Sequence, residues 1–167
     1  MLEKREREQR IFLESIMEGD RMKLGASEIM KCRKQALIFE ISAERGWDSY
    51  KFIRRWMNSD VRSCLDHDDP AFSSQSRYYL LEVFEEDNSM ESGETYDIDM
   101  MHWLGYLYSY WHYAYEVMSK EILAMITPED ILKNYDVLHT QSNKYTLDWI
   151  YERVNKIYKQ ESNNLIR

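Results

Sequence analysis

Glycine, proline and cysteine are all scarce in this chain, at 5, 2 and 2 residues of 167. So few turn-formers argue against a sheet built on tight hairpins and leave room for long helices. Cys32 and Cys64 are far apart and form no CxxC, so neither a zinc site nor a disulfide framework is expected, and a reducing cytosol fits best. GxSxG, a Walker-type glycine loop, GxGxxG and HExxH are missing, which leaves hydrolase, nucleotide-binding and zinc-protease readings without their usual motifs. No metal or cofactor is expected. The opening "MLEKREREQR" lacks the apolar centre of a secretory signal, so export is not expected and the cytoplasm is the expected location. Met100 to Tyr115 contains no formally charged side chain but is shorter than the roughly 20 residues a bilayer requires, so no membrane partner is expected.

What the chain does have is acidity and aromatic mass. Its net charge of −8 would repel a phosphate backbone, so binding nucleic acid alone is not expected, while a basic partner would be favoured. The length suits one ordinary domain with a real core. The expected architecture is all-α, a single-domain helical bundle of about six to seven helices. A charged N-terminal helical segment spans 1–24, the domain spans 25–160 with an acidic and flexible loop near 85–97, and 161–167 is a polar tail. Ser27, Asp48, Ser59 or Asp60, Asp97 or Asp99 and Thr127 are the candidate helix caps, and Gly46 can end a helix in a left-handed conformation. The final helix is expected from after Thr146 to near Tyr158. Lys51, Arg54, Arg55 and Arg62 form a local basic patch, read first as a solvated helix face and second as a surface for phosphate or an acidic partner. His67 to Asp69, "HDD", beside Pro70, reads as a turn rather than a metal site.

The densest feature is "HWLGYLYSYWHYAYEVMSKEIL", His102 to Leu123. At 100° per residue it divides into three faces. Trp103, Leu104, Leu107, Tyr108, Trp111, Ala114, Tyr115 and Met118 form a broad arc expected in the core. Tyr106, Tyr110, Tyr113 and Val117 form a neighbouring arc whose hydroxyls can reach water or a partner. His102, Gly105, Ser109, His112 and Glu116 make a third stripe, whose small residues open a groove. Either another helix packs into that groove or it recognises a ligand. His102 and His112 are about 15 Å apart along the axis, too far to share one metal ion. His112 and Glu116 are helical neighbours and could form an acid–base pair, although an ordinary hydrogen-bonded pair is the more frequent use of that spacing.

The order "KQALIFEISAERGWDSYKFIRRWMNSDV", "YYLLEVFEE", "MHWLGYLYSYWHYAYEVMSKEIL" and "LHT" resembles a family of small bacterial proteins encoded beside ADP-ribosyltransferase-like toxins and small antitoxin-type proteins. The similarity covers about residues 30 to 150, and "WLGYLYSYWHY" followed by "SKEI" is its most specific part. The family pattern has a basic residue where this chain has Ser109. The resemblance implies a neutralising or accessory component of a toxin–antitoxin locus, with a nearby-encoded toxin as partner. The expected partner surface is His102, Tyr106, Ser109, Tyr110, His112, Tyr113 and Glu116, and a homo-oligomer is compatible with it. The competing expectations are a small enzyme or nucleotide-ligand sensor using His102, His112 and Glu116, and a DNA-binding autoregulator with a helix-turn-helix near Asp48 to Leu65.

Overall fold

The computed structural model describes residues 23–166. The charged N-terminal helical segment expected over 1–24 lies outside them but for its last two residues, which are not helical. The described residues are all-α: α1 (Ala26–Glu44), α2 (Ser49–Met57), α3 (Asp60–Asp66), α4 (Pro70–Ser73), α5 (Arg77–Asp87), α6 (Ile98–Tyr115), α7 (Ser119–Met125), α8 (Pro128–Leu132), α9 (Tyr135–Leu138) and α10 (Asn143–Leu165). Seven of these have seven residues or more, and α4, α8 and α9 are short turns of helix between them.

Local chemistry explains most of the boundaries. Asp48, Ser59, Asp69, Ser76, Asp97, Thr127 and Ser142 each accept a hydrogen bond from a free amide in the first turn of the following helix. Pro70 and Pro128 occupy first helical positions, where a missing N–H costs nothing. Gly46 follows the end of α1 with φ +71°, a conformation that disfavours any side chain.

Four boundaries differ from the sequence expectation. Helix α1 starts after Gly25, so Ser27 lies inside it rather than capping it. Helix α6, expected to run at least to Val117, stops at Tyr115 because Glu116 turns left-handed, with φ 53°, and a separate helix begins at Ser119. Helix α10 begins earlier, under the Ser142 cap, and continues through the expected polar tail to Leu165. The acidic segment after α5 is non-helical, as expected, but it is tied down. Asp48 and Ser49 amides donate to the carbonyls of Glu91 and Glu94 at 2.9 and 3.0 Å, and the Tyr96 amide donates to Ser49 Oγ at 2.9 Å. Trp47 and Ser92 form a lone antiparallel bridge there.

The aromatic helix α6 sits at the centre of the fold. Met101, Leu104, Leu107, Tyr108 and Trp111 are fully buried. Helix α1 runs antiparallel along it, since Glu40 meets His102, Gln35 meets Gly105 and Lys31 meets Tyr113. Gly105 makes this approach feasible. A Cβ there would stand 2.9 Å from the Gln35 carbonyl oxygen and 2.8 Å from the Phe39 ring. Phe39, Phe52, Trp56 and Phe84 continue the core through edge-on and stacked ring contacts at 5.3–6.1 Å.

Candidate functional site

The groove expected on α6 is filled by α1. Gly105 and Ser109 are buried beneath it, and His112 is only 5% exposed. Ser109 and His112 therefore belong to a helix–helix contact rather than to an open surface. Glu116 ends α6 in a left-handed turn and is exposed, whereas His112 is buried. His112 Nδ1 donates to the Val117 carbonyl at 2.7 Å and lies 3.6 Å from Asp66, while Glu116 is exposed. A carbonyl can only accept, so His112 carries its proton on Nδ1.

His112 borders a buried polar network that the sequence reading did not find. Arg62, placed in the basic surface patch by sequence, is 2% exposed. Its Nε donates to Asp66 Oδ1 and Ser119 Oγ, both at 2.9 Å, and its Nη1 donates to Gln35 Oε1 at 2.6 Å. Its Nη2 lies 2.8 Å from Asp66 Oδ1, an ion-pair contact without the angle of a hydrogen bond. Asp66 in turn accepts from the Ser119 amide and hydroxyl, both at 2.8 Å. Gln35 is the hub: its Oε1 also accepts from Trp56 Nε1 at 3.0 Å, and its Nε2 donates to the Gly105 carbonyl at 2.9 Å. One network thus joins α1, α2, α3, α6 and the start of α7. The available signal was the Arg62–Asp66 spacing of four between buried Val61 and Leu65, although the same spacing is common on exposed helices.

Burial pushes the His112 pKa down, opposed by the nearby Asp66 carboxylate and reinforced by Arg62. His112 is thus held neutral, whereas in the unfolded chain it titrates near 6.5. Because the folded value is depressed, the unfolded state binds more protons below pH 6.5, and stability must fall as the pH drops through that window. We expect urea midpoints measured from pH 7 downward to show this decline, and His112→Gln to flatten it; an equally steep decline in the variant would refute the assignment. Burial likewise pushes the Cys32 thiol up to about 11, so it remains protonated and unreactive at neutral pH. Among the described residues, no group of three or more His, Cys, Asp or Glu is placed to hold a metal ion. No helix among them is long and apolar enough to cross a membrane.

The tyrosine arc remains open to solvent. Tyr106, Tyr110 and Tyr113 are half-buried along α6, whereas Val117, assigned to the same arc by sequence, is fully buried. Tyr110 packs against the core, and Lys31 lies 5.3 Å over the Tyr113 ring. Burial raises the pKa of all three hydroxyls, so they are neutral at physiological pH. The charges of Arg33 on α1 and of Lys144 and Asp148 on α10 reach Tyr106 and Tyr110 respectively, whereas Tyr113 faces Lys31 and the end of α3. Met30 on α1 is 68% exposed and Tyr145 on α10 is 50% exposed. His102 stands on the solvent side at the other end of α6, paired with Glu40 at 2.8 Å. No protein-family model, curated protein or solved structure matches the chain.

Proposed function

We propose that the protein is an interaction module, the neutralising or accessory component of a bacterial toxin–antitoxin pair whose toxin resembles an ADP-ribosyltransferase. The row Tyr106, Tyr110 and Tyr113 is the observation that carries this reading. Half-buried tyrosines are already partly ordered, so they offer large contact area and polar hydroxyls at small entropic cost. Exposed His102 and Glu116 supply polar groups at other points on the same helix and its cap. A stable complex would bury on the order of 1,600 Å² in total. The burial of His112 and its bond to the Val117 carbonyl lend no support to an acid–base site with the exposed Glu116.

Co-expression with each neighbouring gene product, followed by pull-down and growth rescue, tests the proposal; failure with every neighbour overturns it. Tyr106 is the residue to alter because, unlike Tyr110, it is not packed against the core. Tyr106→Ala should weaken the complex by about 2 kcal/mol if it is a hot spot, while the melting temperature changes little. Equal losses of stability and binding would show that Tyr106 serves the fold instead.

A further inference from the structure

With Arg62 withdrawn into the interior, the basic patch is a different surface from the one suggested by sequence. Tyr50 and Arg54 on the outer face of α2, with Asn58 at its C-terminal cap, recur every fourth residue and form a ridge between two depressions. On one side, a cavity of about 210 Å³ is lined by that ridge together with Lys120, Leu123 and Pro128. On the other, a broad depression of about 730 Å³ includes Lys51, Arg55 and Asn88. Among the described residues, no carboxylate lines either depression, in a chain whose net charge is −8.

The cations here differ in how far they are already occupied. Lys51 is paired with Glu91 at 3.1 Å, and Arg55 donates to the Ser89 carbonyl. Arg54 and Lys120 have no ion-pair partner among the described residues, although they line the same cavity. The neighbouring Glu121 carboxylate accepts from the Met118 amide. Asn58 donates its amide N–H to the Arg54 carbonyl at 2.8 Å, leaving its side-chain oxygen as an acceptor. Tyr50, 44% exposed, adds an aromatic surface above the apolar Leu123 and Pro128.

We infer that this trough along α2 docks an acidic peptide segment of a protein partner, with Arg54 and Lys120 holding its carboxylates. Asn58 can accept a peptide N–H, and Leu123 and Pro128 can receive an apolar side chain between the acids. Charge complementarity selects the occupant. A single-stranded nucleic acid fits less well because Tyr50 is the one aromatic side chain among the described residues lining either depression, whereas such strands are bound by successive stacking platforms. The trough shares no residue with the tyrosine row, and the inference does not rest on the toxin reading.

The test is fluorescence anisotropy of the full chain with a short labelled peptide of alternating glutamate and leucine, beside a labelled oligothymidylate. We expect the peptide to bind, to bind more weakly as salt rises, and to lose affinity on the order of tenfold in the Arg54→Ala/Lys120→Ala double variant. Both positions are exposed or line open space, so circular dichroism melts should show an intact fold. The charge-matched control Arg153→Ala/Lys156→Ala, on exposed positions of α10, should bind like the unaltered chain. No peptide binding, equal loss in the control, unchanged affinity in the Arg54/Lys120 variant, or tighter binding of the oligothymidylate would each overturn the inference.

Discussion

Asp66→Ala will destabilise the protein by about 3–5 kcal/mol, the range for removing one partner of a buried ion pair. The charge left behind is the Arg62 guanidinium, 2% exposed and already committed to Gln35 and Ser119. The same substitution removes the acceptor of the Ser119 amide and hydroxyl at the start of α7. Replacing both members tests whether an uncompensated charge is the cause. Arg62→Met combined with Asp66→Leu should recover much of the loss, because an apolar pair of similar size carries no desolvation penalty. If the double variant is as unstable as Asp66→Ala, the cost lies in the severed bonds to Gln35 and Ser119 rather than in the stranded cation. Urea unfolding with unchanged dependence on denaturant would make the comparison valid.

Trp111→Ala should be comparably damaging, at about 3–5 kcal/mol for truncating a buried tryptophan. Trp111 is fully buried, its ring meets Tyr151 edge-on at 5.5 Å, and its Nε1 donates to the Tyr151 hydroxyl at 2.6 Å. The variant therefore creates a cavity and removes a hydrogen bond between α6 and α10. Trp111→Phe, which retains most of the ring volume, should lose less. Equal losses in the alanine and phenylalanine variants would mean that the indole hydrogen bond outweighs packing.

The core face of α6 was readable because helical periodicity alone determines which side chains share an arc. Of the arc assigned to the interior in that way, Leu104, Leu107, Tyr108, Trp111, Ala114 and Tyr115 are buried, whereas Trp103 is half-buried at its edge and Met118 is half-buried beyond the end of α6, where it caps α7. The caps at Asp48, Ser59, Asp97 and Thr127 were equally readable, since side-chain capping is local chemistry. Tertiary partners were not local. Gly105 and Ser109 announced a groove without saying that α1 would fill it, and Arg62 looked like its exposed neighbours until Gln35 and Ser119 arrived from other helices. The left-handed Glu116 was hidden for a different reason: that conformation is uncommon in a non-glycine residue, and nothing in "YAYEVMS" demands it.

The pairing of α1 with α6 joins Gln35 to Gly105, residues 70 apart in the chain. A ribosome adding about 5–20 residues per second would take on the order of 4–14 s to synthesise that interval. During this time Cys32, Phe39 and the rest of the inner face of α1 emerge without the surface that will cover them. The helices between, α2 to α5, can offer only part of that cover, through Phe52, Trp56 and Phe84. A nascent chain halted before α6 would therefore display an unpaired apolar helix to chaperones and proteases, and the aromatic segment, once made, would conceal it.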